Sequence, residues 1–213
     1  MRLVAGLGNP GSNYRRNRHN IGFIVLDALA EEHNRSFKKA KLYDWYKIDD
    51  VLFIKPKTYM NRSGEAVLSA LTSERIEDIV VICDDIHIPF GEIRIREKGG
   101  YGGHNGLRSI GDTLGSKDFS RMRIGVDSPE GENWANYVLS NFSKHEELKL
   151  GSILDMTNKL LGVYIDDGFK AMLDHFSSEK KSYSESIGLS ESKDQRRENE
   201  KIRKHGNNNT IDQ

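Results

Sequence analysis

The sequence predicts a single α/β domain in which a twisted mixed β-sheet is sandwiched between α-helices. Three observations lead to this prediction. Strand-like and helical patterns alternate over residues 1–176, residues 79–83 form a continuous apolar run, and residues 93–96 alternate apolar and basic side chains. A continuous apolar run is typical of a central strand buried on both faces, whereas alternation is typical of a strand with one exposed face. Together these patterns indicate a sheet that helices cover on both sides.

The first part of the chain predicts three strands and two helices. Residues 3–7 are a short apolar strand that ends in glycines, and apolar residues at helical spacing predict a helix over residues 20–33. Residues 42–48 and 51–55 have the pattern of two strands joined by a turn of two aspartates. A helical period returns over residues 66–71.

The remaining elements follow the apolar run and the alternating strand. Residues 99–106 form a glycine-rich loop, which leads to a short helix over about residues 106–114. Residues 122–126 predict another strand. Helices over about residues 144–164 and 167–175 complete the domain.

Length and composition fit one domain followed by a tail. The chain has 213 residues, and residues 177–213 contain few large apolar side chains among many charges, so we expect a disordered tail after a domain of residues 1–176. No apolar run approaches the roughly 20 residues that span a bilayer, and the N-terminus lacks the features of a signal peptide. The single cysteine, Cys83, cannot form an internal disulfide. We therefore expect a cytoplasmic protein that does not associate with membranes.

The charge distribution leaves room for a nucleic-acid partner. Net charge is zero, but seven basic residues and only three acidic ones lie between Arg94 and Arg123. This local excess suits a phosphate-binding face, although a solvated surface of mixed charge explains it equally well. The seven basic residues are Arg94, Arg96, Lys98, Arg108, Lys117, Arg121 and Arg123.

The glycines after the first strand match a dinucleotide-binding pattern but lack its context. Residues 6–11 satisfy G-x-G-x-x-G, which must open a helix directly and be followed by an acidic residue at a strand end. Here Pro10 interrupts the pattern, the next helix begins only near Asn20, and Asp27 lies within that helix. We expect the loop instead to place Asn9 at the carboxyl edge of the sheet.

Further polar side chains lie at the ends of predicted elements. His19 precedes the first helix, Asp84 follows the buried strand, His104 and Asn105 close the glycine-rich loop, and Asn61 lies between a strand and a helix. Each also has an ordinary structural explanation, as a helix cap, a surface histidine or a turn former.

Together these side chains predict a site at one edge of the sheet. A metal centre is one possibility, but the candidate ligands lack compact spacing such as H-x-x-x-H, and histidine with several amides favours metal-free acyl transfer with no cofactor. No glycine-flanked serine is present and Cys83 lies in an apolar strand, so direct attack by water is the simpler mechanism. The candidate ligands are His19, Asp84, Asp85, His87 and His104.

A set of motifs in fixed order resembles the bacterial peptidyl-tRNA hydrolases over nearly all of residues 1–176. Any one motif is weak evidence, whereas the combination is highly specific. The motifs are Leu3-Val4-Ala5-Gly6-Leu7-Gly8-Asn9-Pro10-Gly11, Tyr14, Arg18-His19-Asn20-Ile21-Gly22, Lys55-Pro56-Lys57-Thr58-Tyr59-Met60-Asn61, Ser63-Gly64, Cys83-Asp84-Asp85, Gly102-Gly103-His104-Asn105-Gly106-Leu107 and Arg121-Met122-Arg123-Ile124-Gly125-Val126.

The resemblance implies a function and a role for each matching residue. The chain is expected to be a monomer that binds the acceptor end and phosphate backbone of peptidyl-tRNA and hydrolyses its ester, with His19 as general base oriented by Asp84. The peptide, terminal ribose and ester would be held by Asn9, Asn61 and Asn105. The cleft would be lined by His104, Tyr14 and Met60. The phosphates of the tRNA would bind to Arg94, Arg96 and Arg123, with Lys98 and Arg108 in the same patch.

Two departures from the family pattern and two rival functions remain. The chain has His87 where relatives usually carry an acid, and Cys83 where a histidine often stands. Related plant organelle splicing factors keep the fold but act as non-catalytic RNA-binding proteins. A metal-dependent phosphohydrolase is the third possibility.

Overall fold

The computed structural model describes residues 1–128 and 133–189. The strands of this part are β1 (Arg2–Gly6), β2 (Lys38–Lys39), β3 (Tyr43–Ile48), β4 (Val51–Pro56), β5 (Asp78–Asp85), β6 (Ile93–Arg96) and β7 (Ser120–Gly125). The α-helices are α1 (Ile21–Glu32), α2 (Ser63–Ser73), α3 (Asn105–Leu114), α4 (Trp134–Val138) and α5 (Lys144–Ser186). Short 3-10 helices occupy Ser12–Tyr14, Arg18–Asn20 and Met60–Arg62.

All the strands join one mixed sheet in the order β2-β3-β4-β1-β5-β7-β6. The central strands β4, β1, β5 and β7 run parallel to one another, while β2, β3 and β6 add antiparallel pairs towards the edges. Parallel strands present their carboxyl ends at the same edge, so the segments that follow these four strands meet there. The predicted α/β class with a mixed sheet is confirmed.

The sheet carries a core on each face because its central strands are apolar on both sides. In β1, Val4 belongs to the core on the side of α1 and α5, whereas Leu3 and Ala5 belong to the core on the side of α2 and α3. The predicted buried strand behaves likewise, since Val80 and Ile82 face one core while Val81 and Cys83 face the other. This confirms the central position expected from the apolar run at residues 79–83.

Glycines bring the start of α1 against the sheet edge. A Cβ on Gly22 would lie 2.4 Å from the Leu7 nitrogen and 2.5 Å from the Ile82 oxygen, so only glycine permits this approach. A Cβ on Gly6 would meet the Gly22 oxygen at 2.4 Å. Because α1 begins only at Ile21, the G-x-G-x-x-G pattern does not open an α-helix, and its first two glycines serve packing. His19 is thereby placed beside the end of β5.

Two short elements were not predicted from the sequence. The strand β2 has two residues and the helix α4 has five, and neither length is enough to establish a hydrophobic period. The two predicted C-terminal helices correspond to the two halves of α5, which is broken at Gly168, where φ is 83°.

The predicted domain boundary after residue 176 needs correction. The second half of α5 continues to Ser186, and Tyr183 and Ile187 are each only 4% exposed. The Tyr183 hydroxyl donates a hydrogen bond of 2.6 Å to the Gly91 carbonyl. A few anchoring side chains hold this charged helix to the core although its average composition is polar. The rest of the predicted tail, residues 190–213, lies outside the described residues.

Within the described ranges, none of the helices combines the length and the apolar character needed to cross a lipid bilayer.

Candidate active site

A cleft of about 530 Å³ opens at the carboxyl edge of the parallel strands. It collects side chains from the segments that follow β1, β4 and β5, from the glycine-rich loop and from α4. The structure therefore brings most of the predicted site residues together. Those that line the cleft are Asn9, His19, Met60, Asn61, Asp84, His104, Asn105 and Arg123.

His19 is held by a buried carboxylate. Nδ1 of His19 lies 2.8 Å from Oδ1 of Asp84, and the Asp84 side chain is only 2% exposed. A carboxylate accepts hydrogen bonds and cannot donate them, so the His19 proton lies on Nδ1 when the ring is neutral. The lone pair is then on Nε2, as a general base requires.

His104 binds the same carboxylate oxygen from another direction. Its Nδ1 accepts hydrogen bonds from the backbone N–H groups of Gly106 (3.1 Å) and Leu107 (3.3 Å), which caps α3. The neutral ring must then carry its proton on Nε2, which lies 3.0 Å from Oδ1 of Asp84. Two imidazole N–H groups therefore converge on one oxygen atom.

This arrangement stabilises Asp84 as an anion. Burial alone would raise the pKa of Asp84, but the charges and hydrogen bonds of His19 and His104 outweigh it and hold the pKa well below its ordinary value. Asp84 therefore remains ionised throughout the neutral range and can support a positive charge on His19.

Of the five candidate metal ligands, only these three come together among the described residues, and their geometry favours hydrogen bonding. Their ligand atoms lie within 4.8 Å of one another. However, Nε2 of His104 carries a proton because Nδ1 is used to accept the backbone amides of α3. A cation at this point would have to displace that proton and break the cap. The contacts of 2.8 and 3.0 Å are direct hydrogen bonds between the rings and Asp84.

Asn9 is clamped in the cleft by its neighbours. Its backbone N–H and C=O are bound at 2.9 Å by the side-chain amide of Asn20, and its Oδ1 accepts the Met60 backbone N–H at 2.9 Å. With Oδ1 engaged, the Nδ2 group is the donor that Asn9 can offer to a ligand. Asn61 and Asn105 are exposed on the same cleft.

The predicted wall residue Tyr14 is not among the residues that line the cleft. Tyr59 lines the cleft, and Tyr14 packs edge-on against it with ring centroids 6.5 Å apart. Tyr59 has a φ of 59°, a rare conformation for a bulky residue, and it is 53% exposed. Met60, the other predicted wall residue, lies where expected.

The predicted phosphate-binding residues divide into exposed and internally bound groups. Arg94, Arg96, Lys98 and Arg108 are exposed, although Nε of Arg94 lies 3.1 Å from Oε1 of Glu92. The Arg123 guanidinium is 12% exposed and donates to Oδ2 of Asp85 at 2.7 Å and to the Gly100 carbonyl at 2.6 Å. Its charge is therefore largely neutralised within the protein, and it braces the glycine-rich loop.

Several cleft residues were missed by the sequence reasoning. Asn20 does not itself line the cleft, but its side chain makes no capping bond to α1 and instead holds Asn9. Trp134, Val138 and Leu139 come from α4 and its end, which the sequence did not predict. The adjacent polar motifs could have indicated Asn20, whereas the apolar residues of α4 give no such signal.

A histidine hydrogen-bonded to a buried carboxylate, beside amide donors at the edge of an α/β sheet, is an arrangement that suits a hydrolytic enzyme. Comparison with known proteins gives the particular class. Residues 3–184 match the family model described as peptidyl-tRNA hydrolase. The chain belongs to the peptidyl-tRNA hydrolase family.

Individual relatives agree with this assignment along most of their length. The peptidyl-tRNA hydrolase of Syntrophotalea carbinolica is 45% identical over 84% of this chain and 97% of its own. That of Thermotoga maritima is 40% identical over 83% and 97%. The crystal structure of the Acinetobacter baumannii enzyme aligns with a TM-score of 0.68 at 32% identity, over 81% of this chain and 94% of that chain.

The protein therefore hydrolyses the ester bond of peptidyl-tRNA, releasing the peptide and returning the tRNA to translation. Nothing in these comparisons supports the alternative of a non-catalytic RNA-binding protein.

Proposed function

We propose that His19 is the general base of this hydrolysis and that Asp84 orients it. Nε2 of His19 takes a proton from a water molecule, and the resulting hydroxide attacks the ester carbonyl. The tetrahedral intermediate then expels the ribose oxygen, which takes the proton back from His19. The observation that carries this proposal is the 2.8 Å contact from His19 Nδ1 to the ionised Asp84, which supports the charge that His19 gains.

The amides of the cleft would bind the reacting groups. Nδ2 of Asn9 is fixed in orientation because its Oδ1 is held by the Met60 N–H, so it is a preorganised donor for the ester or peptide. Asn61 and Asn105, which are exposed on the same cleft, would hold the terminal ribose and the peptide backbone. Donors of this kind stabilise a developing oxyanion by about 3–4 kcal/mol each in other hydrolases.

The tRNA would be bound through its acceptor end and its phosphates. Four exposed cations, Arg94, Arg96, Lys98 and Arg108, are available for phosphate contacts. Arg123 has a different role in this proposal: it holds the glycine-rich loop in place through Gly100. We further propose a cytoplasmic monomer whose catalytic unit comprises residues 1–189, with residues 190–213 not required for the reaction.

The test is release of labelled peptide from N-acetyl-aminoacyl-tRNA by His19→Ala. Removing the base should lower the rate about 100-fold or more, while tRNA affinity is retained. The matched control is His33→Ala, because His33 is an exposed histidine at the end of α1. If His19→Ala keeps a tenth of the normal activity, His19 is not the base.

A further inference from the structure

The exposed apolar side chains of the protein concentrate at the cleft. Five large apolar residues are markedly exposed among the described residues, and three of them, Tyr59, Trp134 and Leu139, line the cleft. Trp134 is 54% exposed and Leu139 is 43% exposed. Large apolar groups left open in a concave site indicate that a ligand covers them.

The helix α4 explains why these side chains point outwards. One side of α4 is fixed to the protein, because the Tyr137 hydroxyl donates to the Val126 carbonyl at 2.8 Å and the Arg18 guanidinium lies 4.2 Å from the Tyr137 ring centre. From α4, Trp134, Ala135 and Val138 line the cleft, and so does Leu139, which directly follows the helix. Trp134 and Leu139 therefore keep about half of their surface open to the cleft.

We call the surface made by Ile86, Trp134, Ala135, Val138 and Leu139 the apolar wall. His87 lies at its edge, where its ring meets the Trp134 ring at 5.6 Å between centroids and an angle of 88°. The His87 backbone N–H is held by Oδ1 of Asp85 at 2.8 Å. With its backbone held in this way, His87 supports the Trp134 ring in its exposed position.

The sheet order places the apolar wall opposite the amide-rich side of the cleft. Met60 and Asn61 follow β4, Asp84 lies at the end of β5, and α4 comes after β7, while the strand order is β4-β1-β5-β7. An ester carbonyl bound at His19 therefore has Asn9 and Asn61 on the side of β1 and β4, next to Tyr59 and Met60, and the apolar residues of α4 on the side of β7. Stacking of a nucleotide base on the exposed Trp134 ring is the alternative occupancy, and it predicts equal kcat/KM for esters that share one tRNA body.

We infer that the apolar wall is a specificity subsite for the side chain of the esterified amino acid, and that it favours large apolar side chains. The inference rests on the proposed function, because it assumes that the ester carbonyl binds at His19. Burial of a large apolar side chain against a half-open wall should give about a tenfold preference over glycine in kcat/KM.

The test uses one tRNA body acylated with N-acetyl-phenylalanine, N-acetyl-leucine or N-acetylglycine. The wild-type enzyme should hydrolyse the phenylalanine and leucine esters with about tenfold higher kcat/KM than the glycine ester. Trp134→Ala should bring this ratio down towards one, and Leu139→Ala should lower it in part. The matched control is Leu148→Ala, since Leu148 is 82% exposed on α5 and does not line the cleft; it should leave the ratio unchanged.

Equal kcat/KM for the three esters in the wild type would overturn the inference, as would an unchanged ratio in both Trp134→Ala and Leu139→Ala. The comparison of the three esters uses the wild-type enzyme alone, so it does not depend on whether a variant folds. Failure of the proposed function would be recognised separately, because His19→Ala would then retain its activity on all three esters.

Discussion

Replacement of Asp84 by asparagine isolates the contribution of its charge. The substitution keeps the shape of the side chain, and the amide oxygen can still accept the two imidazole N–H groups that converge on Oδ1 at 2.8 and 3.0 Å. What is lost is the negative charge beside His19 when that ring becomes positive. The lost amount can be bounded, because unit charges about 4 Å apart interact by about 4 kcal/mol at an effective dielectric constant of 20.

The expected result is a large fall in rate with an intact fold. Since about 1.4 kcal/mol corresponds to tenfold, loss of about 3–4 kcal/mol lowers the rate of the chemical step by about 10²–10³-fold. Single-turnover release of peptide from N-acetyl-aminoacyl-tRNA measures this step directly. The matched control is Asp112→Asn, the same exchange at an exposed acid on α3. A fall of less than about tenfold, with unchanged circular dichroism, would refute the view that Asp84 supports the charge on His19.

Acid sensitivity gives a second measurement on the same variant. The folded-state pKa of Asp84 lies below its ordinary value, because the two histidines outweigh the effect of burial. Its stabilisation is therefore present above the unfolded pKa of about 4 and is lost as the pH falls towards the lower folded value. Asp84→Asn should show a smaller loss of unfolding free energy between pH 5 and pH 2 than the wild type does, and an equal loss would contradict this assignment.

Three further predictions concern the parts that support the site. Glu146→Gln should destabilise the protein by about 3 kcal/mol, because the side chains of Glu146 and Arg18 are only 13% and 7% exposed and form a hydrogen bond of 3.1 Å. The melting temperature should fall by about 6–12 °C. An unchanged melting temperature would mean that this ion pair does not stabilise the protein. A chain ending at residue 176 should lose stability and activity, whereas one ending at residue 189 should keep both, since Tyr183 on α5 and Ile187 directly after it are buried. Arg96→Ala should reduce the slope of log tRNA affinity against log salt concentration by about one unit. Arg123→Ala should chiefly lower kcat, because it loosens the glycine-rich loop. Equal effects of the two substitutions on this slope would show that Arg123 does contact phosphate.

The sequence by itself determined the fold class and the main elements of the site. Strand and helix periods report local burial, so the buried strand at residues 79–83 and the helix at residues 20–33 were readable without any knowledge of the partners. The motifs around His19, Asp84 and His104 also follow element ends, and the carboxyl ends of parallel strands meet at one edge. These conclusions needed only short-range pattern and the geometry of parallel sheets.

Only the tertiary structure decided which groups bind one another. His19 and His104 share one oxygen of Asp84 across sequence separations of 65 and 20 residues, and no local pattern encodes such convergence. The charge of Arg123 is neutralised by Asp85, from a neighbouring strand, so its exposure could not be inferred from composition. The polar composition of residues 177–213 likewise gave no sign of the buried Tyr183, which is held by a hydrogen bond to the carbonyl of Gly91, distant in sequence. Periodicity reports how deeply a segment is buried, but the partner of a charge or an anchor is fixed by long-range packing.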